Sequence, residues 1–122
     1  MTLVRVLTVD DQEVFRAAAR DVIEATPGFQ ALGEATSGAE ALAMSESLRP
    51  DLILMDVRMP GMDGIETTRR LRDSGSESVV VLISFEDPDD VESVARGCGA
   101  VAMLRKQDFC PGALQRLWAA LT

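Results

Sequence analysis

Five polar residues of this sequence follow closely on apolar runs. Asp10 and Asp11 come after Val4 to Val9, Asp56 after Leu52 to Met55, Ser84 after Val79 to Ile83, and Lys106 two residues beyond Ala100 to Leu104. Taken singly, each has a plain use. An Asp after a strand commonly caps the next helix or closes a turn. A Ser there commonly caps as well, and a Lys is commonly a solvated charge. Brought together, three carboxylates repel one another and need a cation. The chain has no histidine and two cysteines, so zinc would have to take two thiolates plus carboxylates. All-oxygen ligation suits Mg²⁺ or Mn²⁺ better. The lack of histidine also removes Ser-His and Cys-His nucleophile pairs. What remains matches the parts needed for phosphoryl transfer: a carboxylate nucleophile, a metal, and ammonium and hydroxyl groups for the phosphoryl oxygens.

The elements that must position these groups alternate along the whole chain. Val4 to Val9 reads as a strand. Gln12 to Ala25 reads as a helix with Val14, Phe15, Ala18, Ala19, Val22 and Ile23 on one face, ended by Pro27-Gly28. Gln30 to Ala35 is a second strand. Ser37 and Glu40 form a capping box for a helix over Gly38 to Leu48, stopped by Pro50. Leu52 to Met55 is a strand ending at Asp56, and residues 60 to 64 form a loop. Ile65 to Arg72 is a helix with Ile65, Thr68 and Leu71 on one side and Arg69, Arg70 and Arg72 toward solvent. Val79 to Ile83 reads as a central strand. Pro88 opens a helix to about Cys98, Ala100 to Leu104 is the fifth strand, and Pro111 opens a last helix to about Leu121. This (βα)₅ order predicts an α/β, doubly wound parallel sheet with helices on both faces. The flavodoxin-like strand order 2-1-3-4-5 is expected, with ligands beyond the carboxyl ends of the strands.

Composition narrows the function. At 122 residues, 47% hydrophobic and 26% charged, the chain is expected to be one globular domain spanning residues 1–122. A net charge of −8, with no Lys/Arg-rich tract, argues against direct nucleic-acid binding. No apolar run approaches the roughly 20 residues of a membrane span. The N-terminus lacks the longer apolar region and cleavage site of a signal peptide. A cytoplasmic protein off the membrane is therefore expected, with Cys98 and Cys110 as free thiols.

The segment from Arg49 to Glu66, which holds Asp56, Pro60-Gly61 and Asp63-Gly64, resembles the bacterial two-component response-regulator receiver domain. Asp10-Asp11 and Lys106 extend the resemblance over essentially the whole chain. Its details are similar to receivers whose usual output is a helix-turn-helix DNA-binding domain. The resemblance implies that Asp56 is the phosphoacceptor. It makes Asp11 a direct Mg²⁺ ligand, with Asp10 acting mostly through water and the backbone carbonyl of Arg58 completing the protein ligands. Lys106 would pair with the carboxylate or phosphoryl oxygens, and Ser84 would be the switch hydroxyl.

Three positions depart from the family pattern. Phe85 stands where a small residue is usual, and a ring there could restrict access to Asp56 or shield its phosphorylated form. Met103 replaces the usual aromatic three residues before the lysine. Gln107 replaces a frequent Pro. A one-residue shift in alignment would instead give the switch position to Ile83, which has no hydroxyl. Arg58 and Glu86, each two residues beyond a site residue, could pair over the site mouth or stay separately solvated.

Three functions compete on this reading. The first is a phosphorylation-dependent switch, not an enzyme, that takes its phosphoryl group from a sensor histidine kinase or phosphotransfer protein. It would alter the face formed by helix four, strand five and helix five, and so control an output domain, a homodimer or another partner, with transcription the expected output. The second is a phosphorylation-independent interaction module, motivated by Phe85 and Met103. The third, a Mg²⁺-dependent phosphatase or phosphotransferase working through an aspartyl-phosphate, ranks last because the chain offers no second domain or cap to enclose an organic substrate. The sequence leaves open whether the domain stands alone or belongs to a longer chain.

Overall fold

The computed structural model describes residues 2–122. Its strands are β1 (Val4–Val9), β2 (Phe29–Ala35), β3 (Leu52–Asp56), β4 (Val79–Ser84) and β5 (Ala102–Arg105). Its helices are α1 (Glu13–Glu24), α2 (Gly38–Leu48), α3 (Gly64–Asp73), α4 (Pro88–Ala95) and α5 (Pro111–Leu121). The five strands form one parallel sheet in the order β2-β1-β3-β4-β5, as the alternating pattern predicts.

The pleat sorts the apolar strand residues onto two faces. Leu7, Val9, Ile53, Met55, Val80 and Leu82 join Ala41, Ile65, Leu71 and Val91 from α2, α3 and α4. Val6, Leu52, Leu54, Val81 and Ile83 join Ile23 of α1 and Leu114 of α5. β3 is buried at every position, which is why its sequence is a continuous apolar run rather than an alternation.

Local chemistry sets the helix ends. Ser37 accepts from Glu40 N at 3.1 Å, while the Glu40 side chain accepts from Thr36 N at 2.9 Å. The capping box forms, although the returning carboxylate bonds one residue earlier than the usual box. Pro88 and Pro111 occupy first-turn positions. Asp63 caps α3 by accepting from Glu66 N at 2.9 Å.

Several boundaries and faces differ from expectation. Helix α4 ends at Ala95, not Cys98, because Gly97 and Gly99 take positive φ (78° and 107°) and turn the chain away. β5 starts at Ala102, where the ladder to Val81 begins. A 3₁₀ turn over Lys106–Asp108, absent from the sequence reading, follows it. On α1, Val14 is 85% exposed, so the buried stripe is narrower than its apolar residues suggest. Arg72 is not a solvent-side cation. Its guanidinium donates to the carbonyls of Gly99 (3.2 Å), Ser76 (2.8 Å) and Ser78, fastening α3 to the entry of β4 and to the α4–β5 loop. Both cysteines are free thiols. No helix among the described residues is long and apolar enough to cross a membrane.

Candidate functional site

The carboxyl ends of β1, β3, β4 and β5 bring Asp10, Asp11, Asp56, Ser84 and Lys106 to one edge of the sheet. The ladder of β1 continues through Asp10, whose N–H donates to Ala35 O at 3.0 Å. That carries the Asp10 side chain to 0% exposure. Its Oδ1 accepts from Gln12 N at 2.8 Å, so the turn-closing role open to a lone Asp is fulfilled by one oxygen. The other oxygen is left over. Asp10 Oδ2 lies 2.5 Å from Lys106 Nζ, at angles outside those of a hydrogen bond, and no other donor among the described residues reaches it.

Asp56 is the last residue of β3 and is 3% exposed. Its Oδ1 lies 3.4 Å from Lys106 Nζ and accepts a long bond from Arg58 N at 3.4 Å. One oxygen each from Asp10, Asp11 and Asp56 falls within a 4.8 Å cluster that could hold a metal ion. Burial, and then the neighbouring Asp10 carboxylate, push the Asp56 carboxyl up to about 7, against the opposing pull of Lys106. A single ammonium does not neutralise three carboxylates, and the excess negative charge at this edge calls for a further cation. The donor set, all oxygen and acidic, fits a hard divalent ion.

Ser84 ends β4 opposite Arg105 and is buried, with its Oγ accepting from Glu86 N at 3.0 Å. Ile83 is paired with Asp56 and fully buried in the cluster that contains Leu114. The hydroxyl at the strand end is thus the serine's. Across the mouth, Arg58 donates to both oxygens of Glu86, at 2.6 and 3.1 Å. The pair raises the arginine and lowers the glutamate from their ordinary values through that hydrogen bond. Met103 packs, partly buried, against the α2/α3/α4 side of the core.

Three residues of the site were not singled out from the sequence. Arg16 donates to Asp10 O at 2.8 Å and also faces Glu34 at 3.6 Å, tying the β1–α1 turn to β2. Phe15, read as a core residue, places its ring 4.8 Å from Lys106 Nζ. Gly64 brings α3 directly against β3. Its N–H donates to Val57 O at 3.0 Å, and a Cβ there would stand 1.9 Å from the Asp56 carbonyl oxygen. The glycine itself was visible in the loop, but nothing local marked it as the point of closest approach.

The fold and this acidic edge define a doubly wound α/β domain with a carboxylate cluster at the carboxyl ends of its strands, and comparison with known proteins gives its family. The chain belongs to the response regulator receiver domain family, whose pattern matches residues 6–118. It is 41% identical over 105 residues to the transcriptional regulatory protein LiaR of Bacillus subtilis (strain 168), covering 85% of this chain and 49% of LiaR. It is 36% identical over 94 residues to the nitrate/nitrite response regulator protein NarL of Escherichia coli (strain K12), covering 75% of this chain and 44% of NarL. The chain thus spans about half the length of these relatives. Among solved structures, the signal receiver domain of the putative response regulator NarL from Mycobacterium tuberculosis superposes with a TM-score of 0.90 at 30% identity, covering 98% of this chain and 97% of that one. The response regulator domain of CheB from Thermotoga maritima superposes with a TM-score of 0.85 at 28% identity, covering 97% and 96%.

Proposed function

We propose that this receiver domain is a phosphoacceptor switch, not an enzyme, in which Asp56 takes a phosphoryl group from the phosphohistidine of a sensor histidine kinase or phosphotransfer protein. The observation that carries this reading is the buried Asp56 carboxylate, set among Asp10, Asp11 and Lys106 at the sheet edge. Asp10, Asp11, Asp56 and the backbone carbonyl of Arg58 would hold Mg²⁺, with Mn²⁺ a substitute. When bound, the metal would neutralise charge on the phosphoryl oxygens. An Asp56 oxygen forms the new P–O bond as the donor's P–N bond breaks. Lys106, already between Asp10 and Asp56, pairs with one phosphoryl oxygen. Ser84 turns its hydroxyl proton toward another while still accepting from Glu86 N. The acyl phosphate, more negative than the carboxylate it replaces, draws both groups inward and biases the face of α4, β5 and α5. Relatives named as transcriptional regulators support an output in transcription, through a domain joined to this one or through a partner. Intact mass after incubation with acetyl phosphate and Mg²⁺ tests the proposal. One added phosphoryl group, absent in Asp56→Asn, is expected; no addition to folded protein would transfer the reading to a phosphorylation-independent module, for which Met103 in place of an aromatic is the supporting feature.

The Arg58–Glu86 pair stands over the same mouth, where it would slow the approach of water to the phosphorylated aspartate. Arg58→Ala should shorten the phosphoryl lifetime on the order of two- to fivefold, the modest scale of an exposed ion pair. Timed loss of the mass adduct after removal of donor measures this, and an unchanged lifetime would make the pair a surface contact only.

A further inference from the structure

Lys106 is the chain's single lysine; the other eleven of its twelve basic residues are arginines. The residue is 8% exposed, and its ammonium lies over two aromatic faces, 4.8 Å from the Phe15 ring centroid and 5.1 Å from that of Phe85. The Phe15 ring is backed by Phe109, at 6.1 Å between centroids, and is part of the α1/α5 side of the core. Phe85 is different. It is 66% exposed, so much of its surface stays in water. An apolar ring kept so far out of the core, with one face toward an ammonium, is placed for a cation–π contact.

We propose that Phe85, with Phe15, is a positioning residue that holds the Lys106 ammonium between two ring faces, ready for the incoming phosphoryl oxygen. The proposal rests on the phosphoacceptor function proposed above. A lysine head strongly prefers water and has a long flexible stem. At this sheet edge the two carboxylates attract it from below, and solvent competes for it from above. The rings offer negative faces without the mobility of water, so the ammonium stays within reach of both Asp10 and Asp56. Because the lysine contributes where charge develops in transfer, the rings act on the saturating rate rather than on donor binding.

The test compares Phe85→Leu, which keeps apolar bulk without a π face, with Phe85→Tyr, which keeps the ring. With acetyl phosphate and Mg²⁺, Phe85→Leu should lower the saturating phosphorylation rate about fivefold with an unchanged half-saturating donor concentration. Phe85→Tyr should restore it. Equal rates in all three proteins, equal losses in both variants, or faster transfer in Phe85→Leu would each overturn the proposal. The single lysine permits a second readout that needs neither metal nor donor. In protein labelled with ε-¹³C-lysine, the Lys106 methylene protons should be shifted upfield by the rings, less so in Phe85→Leu and fully in Phe85→Tyr. No phosphorylation of wild type would overturn the phosphoacceptor reading, and the methylene shift then decides the ring contact by itself: a shift insensitive to Phe85→Leu overturns it.

Discussion

In a metal-free buffer containing EDTA, Asp56→Asn should be more stable than the wild type at pH 8, and the gap should close as the pH falls toward 4. An ordinary aspartate titrates near 3.8, whereas burial and the adjacent Asp10 carboxylate raise Asp56 to about 7. Between those two values the folded state binds more protons at this position than the unfolded chain. The stability contributed by this group is therefore fully present below about pH 4 and is lost as the pH rises through 7. Asn fills the same space without the charge. Each pH unit separating the folded from the unfolded titration is worth about 1.4 kcal/mol, and solvent screening at the sheet edge reduces the gap at pH 8 to the order of 2–4 kcal/mol. Urea melts of the two proteins across pH 4–8 measure it. Subtracting one series from the other removes the titration of the remaining acidic residues. A gap that does not change with pH would mean that Asp56 is not under this strain, and that the carboxylates at the sheet edge are better neutralised than their geometry indicates.

The second large effect is expected from one added methyl group. Gly64→Ala places a Cβ 1.9 Å from the Asp56 carbonyl oxygen, and both partners are backbone. No rotamer can relieve the overlap. Either α3 moves off the sheet, breaking the bond from Gly64 N to Val57 O, or β3 shifts and takes Asp56 out of reach of Lys106. We expect a loss of about 3 kcal/mol, at the upper end for overpacking, and a melting temperature lower by roughly 10 °C. Where the variant stays folded, phosphorylation at Asp56 should fall at least tenfold. Thermal melts and the mass assay read the two effects separately. A variant with wild-type stability and phosphorylation would show that the loop after β3 accommodates the methyl freely.

How far these features can be read before the chain is folded depends on how local their causes are. The strand ends were legible. Leu52–Met55 is apolar at every residue because the sheet is covered on both faces, so the first charge after it, Asp56, marks the edge. The capping pair Ser37 and Glu40 and the first-turn prolines act within a single turn and were legible for the same reason. The course of α1 was less so. Val14 repeats at helical spacing with the buried residues, yet which arc of a helix meets the sheet is set by the crossing of the whole element, and Val14 lies outside that arc. Arg72 reads as a surface cation because nothing within a few residues hints at the carbonyls of Ser78 and Gly99. Gly64 and Phe15 share this property: their partners, Asp56 and Lys106, come from other strands. The five polar residues at the strand ends could be named from their types, whereas what surrounds and holds them arises only from the assembly of the sheet.

Helix α4 has eight residues, of which only Val91 is fully buried, and it is followed by two left-handed glycines. It is secured at one end by the Asp87 cap and at the other by the Arg72 bonds to the segment after it. Such an element forms a small cooperative unit of its own, able to open and re-dock while the sheet remains closed. A change at Ser84, three residues before that cap, thus meets little resistance from the core on its way outward. The helix with the fewest buried residues is, for that reason, the one that can change its contacts with the edge at least cost to the rest of the domain.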